Sequence, residues 1–456
     1  MANVRCDAIV FFGSTGDLAF KQVFPALQAL VKAGRLDLPI VAIGRKDIGV
    51  DKIRARARES LEKSGTLDEA AFAKLSAQLD YVAVDYDDPK TFDGIRKAVG
   101  DAKHVLAYVA LPPEVFEKVA KNLAQAGLAE GGRLALEKPF GHDERSAKAL
   151  SNALHAFYPE ESIFRLDHFL GKEQVESIVY FRAANPLVET MLRREHVESV
   201  QITMAETFGV EGRAEFYDSV GAVRDVVQNH LLELVACLAM ELPAERGHHA
   251  LRGARSKLLC AVQPIAKDDV VRGQVEGYLD EEGVKKGSTT ETFAVVRVFI
   301  DSPRWKGVPF FIRAGKSLAV SATEAMVRWK PVPCPVLEDG DRPQANHVRF
   351  RVGPESGIAI GANVKTDGEK MTGHPSELQL CKSTAGAMKP YERLIGDAIE
   401  GDSTLFARRD AAEQSWRVVD PIVGDGTPVH PYAKGSWGPK EVERLTPAGG
   451  WWNPHS

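Results

Sequence analysis

The sequence predicts an α/β protein in two parts: an N-terminal, doubly wound parallel sheet of the Rossmann type, and a C-terminal α+β domain on a large, mostly antiparallel sheet. Three observations carry this expectation. The first third of the chain repeats short, continuously apolar runs, namely Ala8–Phe12, Pro39–Ile43, Tyr81–Val84, His104–Ala110 and Leu134–Leu136, as expected of strands buried on both faces. Long stretches of helical period, such as Leu18–Ala33 and 51–79, lie between them. Beyond about residue 167 the runs alternate apolar and polar residues, as in Val200–Glu206, and are linked more by turns, which suits antiparallel strands.

The length of 456 residues, 44% of them hydrophobic, suffices for two or three cores at roughly 100–200 residues per domain, and two domains are expected. The net charge of −5 comes from 63 acids and 58 bases spread along the chain, so no nucleic-acid surface and no polybasic membrane patch is indicated. The expected partners are small molecules. Cys6, Cys237, Cys260, Cys334 and Cys381 lie far apart, which leaves no CxxC metal knuckle and no dense disulfide framework. The apolar run near the N-terminus is too short to span a bilayer and has no cleavage-like signal, so a cytoplasmic protein is expected.

Taken in order, the first strand ends at Gly13-Ser14-Thr15-Gly16-Asp17-Leu18 and a helix follows. Strand, glycine turn and helix form the first half of a dinucleotide fold, in which glycines admit the pyrophosphate and the helix N-terminus supplies donors. The loop departs from G-x-G-x-x-G, and a bare GxxG is as often a plain tight turn. The second strand ends on Gly44-Arg45-Lys46, where an NAD-selective fold carries an acid for the ribose hydroxyls. Arg45 can instead pair with a 2′-phosphate and Lys46 adds charge, which favours NADP, with NAD as the weaker alternative. Two further strands end in rigid exits, Leu111-Pro112-Pro113 and Glu137-Lys138-Pro139, and a cis Lys138–Pro139 bond is allowed by the tertiary amide.

Arg165-Leu166-Asp167-His168-Phe169-Leu170-Gly171-Lys172-Glu173 crowds a carboxylate, an imidazole and an amine between the strand end 162–164 and a helix over 174–184. Such a junction favours an anion, and His168 and Lys172 could close on a phosphate. A second chemical centre, Tyr217–Leu234, reads as a helix with apolar residues at Val223, Val226, Val227, Leu231 and Leu234. In an α-helix Asp225 and His230 would stand roughly 140° apart and need not share a face. His248-His249 sits in a polar, loop-like stretch without zinc spacing, and no metal site is expected.

These strings resemble those of the glucose-6-phosphate dehydrogenase family. Arg165–Glu173 is similar to its R-I-D-H-Y-L-G-K-E signature, Gly13–Ala19 to its G-A-S-G-D-L-A loop, and Tyr108–Pro113 to Y-L-A-L-P-P. Glu137–Gly141 is identical to E-K-P-F-G, Arg224–Leu231 resembles R-D-V-M-Q-N-H-L, and Val308–Lys316 resembles V-P-F-x-x-R-x-G-K. Stretches from Tyr391 to Asp410, Trp416 to Ile422 and Gly435 to Pro439 also match, so the resemblance spans almost the whole chain.

The resemblance implies oxidation of glucose 6-phosphate at C1 to 6-phosphoglucono-1,5-lactone with hydride transfer to NADP, the first step of the oxidative pentose phosphate pathway, by a homodimer or homotetramer. It implies His230 as base supported by Asp167, and His168 and Lys172 on the sugar phosphate. Lys138 contacts substrate and coenzyme, and Glu206, Asp225 and Lys316 contact the sugar. Gly13, Ser14, Thr15, Gly16, Asp17, Leu18, Arg45, Lys46 and Tyr108 would hold the coenzyme. The implied domains are 1–167, dinucleotide-binding, and 168–456, substrate-binding and oligomerising. Three departures bear on the sugar: Ala205 and Thr207 flank Glu206, Ser317–Ser321 replaces charged residues, and Gly353 stands where the family often has glutamine. They leave open a relative acting on another sugar phosphate. A non-catalytic regulatory homologue would have shed reactive groups that this chain keeps.

Overall fold

The structure, a computed structural model, describes residues 4–245, 247–331, 343–368, 370–382, 388–424 and 426–455. The chain divides into two compact units: Met1–Glu173 with Pro243–Ser256 and Ala387–Glu413, and Gln174–Leu242 with Lys257–Gly386 and Gln414–Ser456. A single cut in sequence order does not reveal this interleaving. Helix Pro390–Glu400, for example, buries Leu394, Ile395, Ala398 and Ile399 in a first-unit core, and an apolar stripe does not say which core it will join.

The first unit holds six strands, β1 (Ala8–Phe12), β2 (Ile40–Gly44), β3 (Leu79–Ala83), β4 (Val105–Val109), β5 (Arg133–Glu137) and β6 (Ile163–Leu166). All pair in parallel in the order β3-β2-β1-β4-β5-β6, so the strand order reverses between β1 and β4. Successive side chains of β1 point to opposite faces: Ile9 and Phe11 enter one core, Ala8, Val10 and Phe12 the other. Two buried faces explain the unbroken apolar runs, each fully buried Phe or Val contributing about 1.5–3 kcal/mol. The helical stretch 51–79 resolves into Val50–Lys63 and Glu69–Gln78, the second capped by the Asp68 carboxylate accepting from Ala71 N at 3.0 Å.

The second unit is organised on nine strands: β7 (Val197–Ala205), β8 (Val270–Val275), β9 (Phe293–Val298), β10 (Phe310–Gly315), β11 (Ala322–Trp329), β12 (His347–Gly353), β13 (Gly357–Lys365), β14 (Gly373–Lys382) and β15 (Val429–Tyr432). Their order is β14-β13-β12-β11-β7-β10-β9-β8-β15. Only the β7–β10 and β8–β15 pairs are parallel, which gives the mostly antiparallel sheet expected. The helix of the second chemical centre runs Val223–Leu231 and continues as Leu232–Ala239, a segment buried all round. The His248-His249 stretch, expected as a loop, opens helix His248–Ala261 instead. Among the described residues no helix is long and apolar enough to cross a membrane.

Candidate active site

In an open parallel sheet, ligands bind beyond the carboxyl ends of the strands where the order reverses, and the glycine loop stands there. Gly13 has φ +78°, and a Cβ on it would lie 2.2 Å from the Ala110 carbonyl oxygen at the end of β4, so no other residue fits. Ser14 Oγ donates to Ile43 O at 2.9 Å, which ties the loop to the end of β2, and Gly16 N donates to Gly13 O at 2.9 Å within the loop. Thr15, Gly16 and Asp17 are exposed, Leu18 is half-buried, and Asp17 pairs with Lys21 at 3.2 Å. The helix beyond begins with a π turn, Ala19–Val23.

Arg45 and Lys46 follow β2, exposed and without a hydrogen-bonding or ion-pairing side-chain partner among the described residues. Two unspent cations beside the cradle fit a phosphorylated ribose.

At the end of β5, Glu137 is 8% exposed. Tyr108 Oη donates to Glu137 Oε1 at 2.5 Å, and Tyr391 donates to the same carboxylate. Burial pushes the Glu137 carboxyl up to about 7, against the pull of both phenols and of Lys138, with Asp167 adding to the rise. Tyr108, implied as a coenzyme contact, has a buried side chain that hydrogen-bonds Glu137. The neighbouring Lys138–Pro139 bond is cis and Lys138 is half-buried.

The opening motif forms the turn after β6. Asp167, buried, accepts from Phe169 N at 2.9 Å, an Asx turn that shapes the segment. The His168 ring stacks on Tyr391 with centroids 6.3 Å apart, and Lys172 Nζ lies 4.2 Å from the Phe169 ring centroid. Arg165 belongs to the scaffold, pairing with Glu160 at 3.0 Å. Gly171 is required because a Cβ would come within 2.9 Å of Pro390 O.

In the second unit, β7 ends beside β10, which brings Glu206 and Lys316 together at 2.6 Å. Lys316 is buried, with Nζ 5.1 and 5.2 Å from the rings of Phe208 and Tyr217, while the Glu206 carboxylate is partly open. Two residues expected as separate sugar contacts therefore form one unit of donor and acceptor. Ser321, one of the departures, has a function of its own: its Oγ accepts from Thr207 N at 3.0 Å and bonds Thr207 Oγ1 at 2.9 Å, bracing the loop that carries Glu206. Gly353 faces open space, so nothing in the described fold forbids a larger side chain there.

Asp225 is half-buried and His230 is 3% exposed, both on the run Val223–Leu231. The expected α geometry is corrected here. The run is a π-helix, closed at its end by Leu232 N donating to Val227 O five residues back. An i→i+5 bond widens the turn, which brings residues five apart closer around the axis than the roughly 140° of an α-helix, so Asp225 and His230 stand more nearly on one side. Sequence periodicity does not report a one-residue change of register. It also misses Tyr391, Tyr217 and Phe208, whose partners lie far away in the chain.

Comparison with known proteins identifies the family. Residues 10–177 match the family model for the glucose-6-phosphate dehydrogenase NAD binding domain, and residues 179–452 match that for the glucose-6-phosphate dehydrogenase C-terminal domain. Glucose-6-phosphate 1-dehydrogenase 1 of Mycobacterium bovis is 39% identical over 98% of this chain and 96% of its own. The enzyme of Gluconobacter oxydans is 36% identical over 96% of this chain and 95% of its own. The crystal structure of the Mycobacterium avium glucose-6-phosphate 1-dehydrogenase superposes with a TM-score of 0.93 at 39% identity, covering 99% of each chain. A glucose-6-phosphate dehydrogenase in complex with its substrate glucose-6-phosphate gives 0.91 at 32% identity, covering all of both chains. The chain belongs to the glucose-6-phosphate dehydrogenase family.

Proposed function

We propose that the protein oxidises glucose 6-phosphate at C1 to the 6-phosphoglucono-1,5-lactone, with NADP as the preferred oxidant. The observation that carries this reading is full-length membership of the family, supported by the presence in the sequence of the groups that the resemblance implies: Asp167, His168, Lys172, Lys138, His230, Glu206 and Lys316.

Bound NADP supplies the hydride acceptor. The Gly13–Leu18 loop fits its pyrophosphate, since the space a Cβ would fill at Gly13 is taken by the fold itself, and Arg45 and Lys46 hold charge for a 2′-phosphate. Lys138 and Tyr108 complete that half, the tyrosine through Glu137. His168 and Lys172 bind the sugar phosphate, and the Glu206–Lys316 pair with Asp225 orients the hydroxyls. His230 takes the C1 hydroxyl proton while the C1 hydride leaves, so two electrons and one hydrogen go to the nicotinamide and one proton to the imidazole. An imidazole titrates near neutrality, and the Asp167 carboxylate would fix its tautomer and stabilise the imidazolium. Holding the reactants aligned supplies much of the rate.

Leu378 and Leu380, 64% and 44% exposed on edge strand β14, support self-association as a homodimer or homotetramer. Cys6 is a buried thiol, which suits a reducing cytoplasm. Steady-state assays with NADP and NAD on glucose 6-phosphate, its 2-amino analogue and free glucose test the reading. Glucose 6-phosphate with NADP should give the highest kcat/KM. A higher value for the 2-amino analogue would transfer the assignment to another sugar phosphate.

A further inference from the structure

A π run is a rare local form, so something must hold the one that carries Asp225 and His230. Its first amides are met by a single residue that precedes β9. Ala222 N donates to the Glu291 carbonyl oxygen at 2.9 Å, and Val223 N donates to Glu291 Oε1 at 3.0 Å. The other carboxylate oxygen, Oε2, accepts from Arg272 Nε at 3.1 Å and Nη2 at 2.7 Å. Glu291 is 5% exposed and Arg272 2%, and Arg272 spends further donors on Thr427 O at 2.9 Å and Thr289 O at 3.0 Å. Gly221, at φ +73°, makes the approach possible, because a Cβ there would stand 2.6 Å from Glu291 Oε1. The carboxylate is thus fixed from two sides and placed at the positive end of the helix, where an otherwise orphaned amide needs it.

We infer that Glu291 is a positioning residue for His230: its carboxylate pins the first turn of the π run and so keeps Asp225 and His230 on one side of the helix. The inference rests on the reading of His230 as the base. Without this anchor the run relaxes toward α register, in which residues five apart stand about 140° apart. The substrate groups Glu206 and Lys316 are held by β7 and β10 and do not depend on it.

Glu291→Asp tests this, because it keeps a charge beside Arg272 while one methylene less of reach withdraws the carboxylate from Val223 N. The expected result is a kcat lower by about 10- to 100-fold, the loss typical of a small misplacement, with KM for NADP within about twofold of wild type. In the His230→Asn background the same change should cost kcat nothing further, since it acts through that ring. Glu291→Gln, which keeps the reach, should retain more turnover than Glu291→Asp. An unchanged kcat in Glu291→Asp, or an equal loss with and without His230, overturns the inference. Full turnover in His230→Asn alone would instead remove the base assignment.

Discussion

On the proposed reading Arg45 is the residue on which coenzyme choice turns, since it is exposed and has no side-chain ion-pair partner among the described residues at the end of β2, where an acid would select NAD. A charge-assisted hydrogen bond is worth about 1.5–3 kcal/mol, so Arg45→Ala should raise KM for NADP by roughly ten- to a hundredfold and leave KM for NAD within about twofold. Equal changes for both coenzymes would show that Arg45 does not read the 2′-phosphate. Glu137 governs a different property. Burial pushes its carboxyl up to about 7 in the folded protein, whereas in the unfolded chain it returns to about 4.3. Between those values the folded state binds more protons, so its contribution to stability is complete below about pH 4 and lost as pH rises through about 7. Glu137→Gln lacks this titration. Calorimetry at about pH 5 and pH 8 should therefore show the variant gaining thermal stability relative to wild type at the higher pH. A gap that does not move with pH would contradict the buried, protonatable carboxyl.

At the level of elements, the loop after β1 and the π run of the second unit are where local geometry is most demanding. Gly13 combines positive φ with a Cβ position 2.2 Å from a backbone oxygen, which no rotamer change relieves. Gly13→Ala should cost on the order of 1–3 kcal/mol for conformation alone, and more for the clash. Isothermal titration should show NADP affinity down at least about tenfold, with glucose 6-phosphate binding little altered. Unaltered NADP affinity would mean that the loop does not cradle the pyrophosphate. The strands were legible because two buried faces demand unbroken apolar runs. The ends of β3 and β7 were less so: β3 begins at Leu79, inside the stretch that reads as helix, and β7 begins at Val197 and stops one residue before Glu206. Residues at a helix–strand junction serve both periods, which is why they mislead. The π register was not legible, because one extra residue per turn leaves apolar positions 223, 227 and 231 buried just as an α-helix would.

For the whole molecule, the two fold classes could be read from the change in pattern along the chain, but the interleaved units could not. Segments 243–256 and 387–413 rejoin the first unit through contacts such as Cys6 N to Ile399 O at 2.8 Å and Arg252 Nη1 to Ser403 Oγ at 3.0 Å, which no local periodicity encodes. The motif residues were legible as strings, and their partners were not. Glu206 and Lys316 read as separate contacts and proved to be one ion pair, and Ser321 read as a loss and proved to be a brace. The central claim is that His230 removes the C1 hydroxyl proton of a bound sugar phosphate during hydride transfer. Single-turnover formation of reduced nicotinamide by His230→Asn, with saturating glucose 6-phosphate and NADP, tests it most directly. The account predicts near-normal binding of both ligands and a transfer rate lower by about 10²- to 10⁴-fold, the usual share of general base catalysis. Wild-type transfer in that variant would contradict it.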